Sequence, residues 1–281
     1  MTSERASRTA LAALVLAVLA GPATAQSPED PRLVFTTFAG YVGSGSLWQL
    51  NRQPAAVTGG AWDTLTLGRD FKPGFALGLG IQLFRSPHVG YALEIAFLGT
   101  TTESRCRPIG SYAFDSEHVN RQACENIQGT SQRTNAVAVQ GGVIWRARTQ
   151  GAVQPYLRAA AGFGILGGSF VETRGTVALS GVIDTTGPPL VSRVFLDEKE
   201  RTEFTWEATL AAGTTLEMAP GYNLRFELRD LIFSAPVVTG PANALDMVFP
   251  AVAQVGRKMV HLPTLSVGFD IVLERQRRRR Y

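Results

Sequence analysis

Residues Phe75 to Leu83 read FALGLGIQL, and their order decides the fold. Phe75, Leu77, Leu79, Ile81 and Leu83 fall on one face of an extended chain, with Ala76, Gly78, Gly80 and Gln82 on the other. A period of two marks a β-strand, because successive side chains point to opposite faces. One face is uniformly large and apolar, and the other is small with a single amide. Nine residues is the length of a tilted strand that crosses a membrane.

The same alternation recurs along the chain. Leu265 to Glu274 (LSVGFDIVLE) sets Leu265, Val267, Phe269, Ile271 and Leu273 against Ser266, Gly268, Asp270, Val272 and Glu274. Tyr91 to Phe97, Val137 to Trp145, Leu157 to Phe163, Phe204 to Leu210 and Leu224 to Leu228 follow it, and Leu33 to Val42 supplies a first, less regular strand. That makes eight. Short connections, RSPHVG (Arg85 to Gly90), TQGAVQ (Thr149 to Gln154) and a turn at Pro220-Gly221, alternate with long ones. The long ones are about 30 residues around Gly59-Gly60, a cysteine-bearing stretch, Gly167 to Arg201 and Phe233 to Val260. Short turns on one side and long loops on the other are the rhythm of an outer-membrane barrel.

Composition agrees. At 45% hydrophobic and 18% charged, the chain is too apolar for disorder, and 29 Gly with 15 Pro disfavour a helical protein. The net charge of +4 is misleading, since Arg275, Arg277, Arg278, Arg279 and Arg280 crowd the last seven residues. Without them and the +1 of the first segment the body carries −2, which gives no nucleic-acid face.

Residues 1–25 read as a cleaved signal peptide, with Arg5 and Arg8, the apolar run Ala10 to Ala20, and Ala23-Thr24-Ala25 before Gln26. Eleven apolar residues are too few to span a bilayer. Export favours a disulfide between Cys106 and Cys124, 18 positions apart, over a metal site with His118, which lacks further ligands.

Signal, strands and loop rhythm together resemble the small eight-stranded outer-membrane barrels of the OmpA/OmpX type, over essentially the whole mature chain. The resemblance implies an all-β, eight-stranded antiparallel up-and-down transmembrane β-barrel in residues 26–281, with short periplasmic turns, long extracellular loops and an Arg-rich tail at 275–281. It also implies outer-membrane lipids and the barrel-assembly machinery as partners, a monomer and no cofactor. Such barrels end on an aromatic, whereas ERQRRRR here separates Leu273 from Tyr281.

The Gly- and Ala-rich face suits a crowded interior, since eight strands leave a lumen that side chains fill. Glu94, Arg158, Arg225, Glu227 and Asp270 then share one height, three to five residues above the turns, as an interior ion cluster. Its expected role is to hold strand register. Tyr91, Trp145 and Tyr222 toward the turns, and Phe97, Phe163, Phe204 and Trp206 toward the loops, form aromatic belts. Tyr156 and Phe84 count inward, which means either packing inside or a slip of register.

No motif carries chemistry. GFGILGG (Gly162 to Gly168) has no helix after it, and His118 or His261 could reach Ser111, Asp115, Ser192 or Asp246 only through unreadable loops. The leading reading is a structural or surface-interaction barrel, not an enzyme. The alternatives are passage of small apolar solutes, a lipid acyltransferase or hydrolase using His118 or His261, and a soluble lipocalin-like binding barrel.

Overall fold

A computed structural model describes residues 32–57, 62–110, 118–149, 151–168, 170–178, 190–197, 202–242 and 251–273. The expected signal peptide (1–25) and Arg-rich tail (275–281) lie outside them, as do Ser111, Asp115 and Asp246. Eight strands close a ring: β1 (Arg32–Val42), β3 (Trp62–Phe84), β4 (Val89–Pro108), β5 (Ser131–Arg146), β6 (Val153–Gly167), β9 (Thr202–Ala219), β10 (Tyr222–Gly240) and β12 (Gln254–Leu273). Each pairs antiparallel with its neighbours, and β1 joins β12 to β3. The fold is therefore the all-β, up-and-down transmembrane barrel. β2 (Gly45–Ala56) continues β1 after a two-residue break and pairs with the outer half of β3.

The registers define the barrel's stagger. Val42 lies opposite Thr264, Thr264 opposite Arg229, and the path continues through Ala211, Arg158, Ile144, Gly90 and Phe84 to Arg32. It returns to β1 ten residues from its start, a shear of ten for eight strands. With standard strand spacings this tilts the strands about 40°. The outward apolar run Phe75 to Leu83 then stands about 20 Å tall, close to the hydrocarbon band of such barrels. Leu79, Leu93, Leu157, Leu228 and Leu265 are each more than half exposed on this band, which only lipid can cover without cost.

Beyond the band the polarity of β3 and of β10 inverts. In β3, Ala76, Gly78, Gly80 and Gln82 point inward beneath outward leucines; above Lys72, Leu65, Leu67 and Phe71 point inward while Thr64, Thr66 and Asp70 face out. The register shift between Lys72 and Phe75 switches the inward parity, and a Cβ on Gly74 would sit 2.3 Å from the Gly99 carbonyl. β10 inverts without a bulge: Arg225, Glu227 and Arg229 give way to Leu231, Phe233, Ala235 and Val237 inside. Much of the expected loop sequence is thus strand that has left the membrane. In water the apolar face must turn inward, so the outer half of the barrel has an ordinary hydrophobic core.

That core continues into a cap. The helix α1 (Val119–Ile127) buries Asn120, Ala123, Cys124 and Ile127, and a small sheet is formed by β7 (Thr173–Ala178), β8 (Leu190–Asp197) and β11 (Ala251–Val252). Phe170, Val171, Phe195 and Leu196 share one core with Leu47, Leu65, Phe71 and Phe233. β7 approaches α1 so closely that a Cβ on Gly175 would meet the Ala123 carbonyl at 2.2 Å.

Two substitutions separate the solvents along β3. Leu79→Arg, at the centre of the apolar band, is expected to cost about 2–4 kcal/mol in a bilayer, while Thr66→Arg stays within about 0.5 kcal/mol. Urea titration of the barrel in lipid vesicles, read by heat-modifiable gel mobility, checks both.

Candidate functional site: a filled lumen beneath a tied cap

The lumen at mid-height is closed by charge. Glu94 (β4), Arg158 (β6), Arg225 and Glu227 (β10) and Asp270 (β12) are all buried, and each contacts another member. Arg158 pairs with Glu94 and, at 3.1 Å, with Glu227; Arg225 reaches Asp270 at 2.8 Å. Arg229 joins them with ion pairs of 2.9 Å to Glu94 and 2.6 Å to Glu227. Its inward parity was visible in β10, but it sits one rung above the height at which the other five were counted. With Arg229, three guanidiniums face three carboxylates, so the cluster is neutral.

Neutral polar groups complete the network. The Tyr156 hydroxyl donates to Glu227 at 2.6 Å, Gln140 Nε2 to Glu94 at 3.0 Å, and Thr36 Oγ1 to Asp270 at 2.9 Å. Gln82 Nε2 donates in turn to Thr36 at 2.9 Å. Tyr156 and Phe84 therefore both pack inside, with Arg146 3.5 Å above the Phe84 ring. The Arg229 guanidinium lies 4.0 Å from the Phe38 ring centre, and Phe38 occupies the space that a Cβ on Gly78 would need. Gly78 thus makes room for the Phe38 ring in a narrow bore. Leaving any of these charges unpaired in that setting would cost several kcal/mol.

The second closure is apolar and lies above the first. Phe71 meets Phe170 and Phe233 edge-on, each at 6.1 Å between ring centres. β2 leans across the mouth and is held by polar clasps. The Gln53 side chain bonds both the N–H and the C=O of Ala242, at 3.0 and 2.9 Å, and Trp48 Nε1 donates to the Phe170 carbonyl at 2.8 Å. Asn120 Nδ2 ties α1 to Asp63 at 3.0 Å. The disulfide joins Cys106 of β4 to Cys124 of α1, fastening the cap to the wall.

The other expected residues fall elsewhere. Trp145, Tyr222, Phe163, Phe204 and Trp206 are exposed on the outer wall, and Tyr91 and Phe97 are half-buried there. Phe163 stacks on Phe204 at 5.3 Å, Phe97 lies 5.9 Å from Phe75, and Tyr222 stacks on Phe269 at 5.9 Å. Tyr41 lies opposite Phe75 and adds to the loop-side row. His118 is exposed at the start of α1 with φ 57°, in the left-handed region. His261 pairs at 2.7 Å with Asp230 on the outside of the wall, and His88 lies in a turn against the Arg146 carbonyl. No group of three or more His, Cys, Asp or Glu able to hold a metal occurs among the described residues.

No family model and no curated protein matches the sequence. Among solved structures, the chain is similar to Neisserial surface protein A (NspA), at 12% identity over 86% of this chain and 99% of that one, with a TM-score of 0.40. OprG from Pseudomonas aeruginosa is 10% identical over 87% and 96%, with a TM-score of 0.46. Ail, the attachment invasion locus protein of Yersinia pestis, is 11% identical over 87% and 99%, with a TM-score of 0.37.

Arg229→Met removes one partner from two buried carboxylates. It is expected to destabilise the barrel by about 3–5 kcal/mol, whereas Arg257→Met on the exposed wall costs under about 1 kcal/mol. Equilibrium unfolding in lipid vesicles measures the difference. Breaking the disulfide with Cys106→Ser and Cys124→Ser is expected to cost the cap about 3 kcal/mol. Limited proteolysis should then cut the cap and spare the membrane-spanning half.

Proposed function

We propose that this protein is an exported outer-membrane barrel with a structural or surface-interaction role, carried by its cap rather than by its lumen. The observation behind this reading is the double closure: a neutral ion cluster of three arginines and three carboxylates, and above it a packed aromatic core shared with the cap. A pore needs an open path, and side chains fill the bore in both layers. The wall instead rises well beyond the apolar band and ends in a helix and a sheet fastened by a disulfide and by the Asn120 and Gln53 bonds. Rigid scaffolds that present loops outward are where binding surfaces are commonly built.

In this reading the short turns face the periplasm and the cap faces the exterior. Outer-membrane lipids surround the band, with Tyr91, Trp145 and Tyr222 at one headgroup level and Phe97, Phe163, Phe204 and Trp206 at the other. The ion cluster of Glu94, Arg158, Arg225, Glu227 and Asp270, with Arg229, holds the strands in register. The barrel-assembly machinery inserts the chain after the leader is removed, and the product is a monomer. It is not an enzyme in this reading, and the His261–Asp230 pair is an exposed contact on the wall.

Passage of small apolar solutes is the second reading, favoured by one feature. The β1–β12 ladder ends at Pro263, whose carbonyl accepts from Gly43, and beyond it the described β12 residues pair only with β10. A seam therefore separates β2 from outer β12, bridged by Lys258 Nζ to the Leu47 carbonyl at 3.5 Å.

The test is direct. Purified barrel reconstituted in planar bilayers should show no steady conductance, and cells expressing it should take up a labelled alkane no faster than cells without it. Cells displaying the intact cap should bind a host or cell surface, and the cap-loosened Cys106→Ser/Cys124→Ser variant should bind several-fold less. Alkane uptake that rises when Gln53 is replaced by Ala would favour the second reading instead.

A further inference from the structure

Three oxygens at the base of the cap converge on one atom. Asn120 Nδ2 of α1 lies 3.0 Å from Asp63 Oδ2 of β3, 3.3 Å from the Ala56 carbonyl oxygen and 3.4 Å from the Ala55 carbonyl oxygen of β2. The β2–β3 ladder gathers these groups, since Ala55 pairs with Asp63 and Ala56 with Trp62. The Cys106–Cys124 disulfide and the burial of Ala123 and Ile127 bring α1 over them. Successive carbonyls of a regular strand point to opposite edges, so two that reach the same amide have left that alternation at the end of β2.

The amide does not balance these oxygens. Its nitrogen carries two hydrogens for three acceptors, and its own Oδ1 is buried without a hydrogen-bond partner. Asn120 is 1% exposed and Asp63 5%. Asp63 forms no ion pair among the described residues, and the neighbouring Arg121 is engaged with Glu125 at 3.0 Å. A buried carboxylate without a positive partner is strongly unfavourable. A half-turn of the Asn120 amide exchanges Nδ2 for Oδ1 and sets four oxygens around one point. Oδ1 then stands at the 3.0 to 3.4 Å now spanned by Nδ2. Oxygens bound about 2.4 Å from a calcium ion and roughly 80–90° apart lie at that same spacing.

We propose that Asp63, the Ala55 and Ala56 carbonyls and Asn120 Oδ1 form a calcium site that locks the cap to the barrel wall. The donors are all oxygen, which suits a hard cation, and water completes the six to eight ligands that calcium takes. Magnesium demands near-ideal octahedral geometry and keeps its own waters, so a cluster of protein carbonyls suits it less. A single carboxylate places the affinity at the weak end, about 10⁻⁴–10⁻³ M, the range of modules that work outside cells. The ion supplies the charge that Asp63 lacks and joins β2, β3 and α1 at one point. The inference rests on the exterior placement of the cap for its supply of calcium, whereas binding to the purified barrel does not.

The experiment is a terbium titration of the full barrel in detergent micelles, read by emission on exciting tryptophan, because Trp62 adjoins Asp63. Emission should saturate, and calcium should displace terbium with half-effect at about 0.1–1 mM. Proteolysis of the cap should slow about tenfold, relative to EGTA, at ten times the half-effective calcium concentration. Asp63→Asn should abolish both responses. Asn120→Asp adds a ligand charge and should bind calcium about tenfold more tightly, which keeps the test open if Asp63→Asn folds poorly. Wild-type emission that calcium does not displace would overturn the site. So would an Asn120→Asp barrel whose cap is loosened and not restored by calcium, the result expected of a clasp made only of hydrogen bonds.

Discussion

The change of solvent along each strand is the constraint on which the rest of the structure depends. A strand of this barrel meets lipid over about 20 Å and water beyond, while its inward face meets only other strands. In lipid, the backbone must be paired all round, so the sheet has to close. Once it closes at eight strands with a shear of ten, the bore is fixed at a width that side chains can fill. Every inward residue is then chosen for what it can pack against, and every outward residue for the medium it meets.

The two halves of the lumen solve that packing problem differently. In the membrane half the outside is apolar, so hydrophobic burial contributes little to holding the strands together. Fixed polar contacts take over: guanidiniums stretched across the bore to carboxylates on other strands, with Gly78 leaving room for the Phe38 ring under Arg229. A slip of register would break all these pairs at once, which makes the network a strong discriminator between registers. In the outer half water surrounds the wall, so hydrophobic burial works in its usual sense and Leu65, Leu67, Phe71 and Phe233 fill the bore. The cap is an extension of that second core, and the disulfide and polar clasps hold it over the mouth.

Legibility in the sequence followed the same division. FALGLGIQL and LSVGFDIVLE announce their strands because their lipid-facing and lumen-facing sides alternate cleanly, which β1 does not do. Glu94, Arg158, Arg225, Glu227 and Asp270 could be placed at one height by counting from short turns, since turn and strand parity are both local. Arg229 escaped because height was counted along each strand, whereas contact is made by a long side chain reaching one rung down. WDTLTLGRDF was harder still. Its alternation is as clean, but its polarity is reversed and a bulge after Lys72 changes its phase, so it resembled a loop beside the membrane pattern.

By itself the sequence determined the count of barrel strands, their up-and-down order, the short turns, and which face of each central strand is apolar. These are consequences of local periodicity, which any reader of the chain can count. Only the tertiary structure decided where the strands leave the membrane, that the outer half is packed like a soluble core, and that β2 turns in across the mouth. Those depend on the stagger, and stagger emerges only when the first strand meets the last, because closure couples residues that are more than 200 positions apart, as Thr36 and Asp270 are.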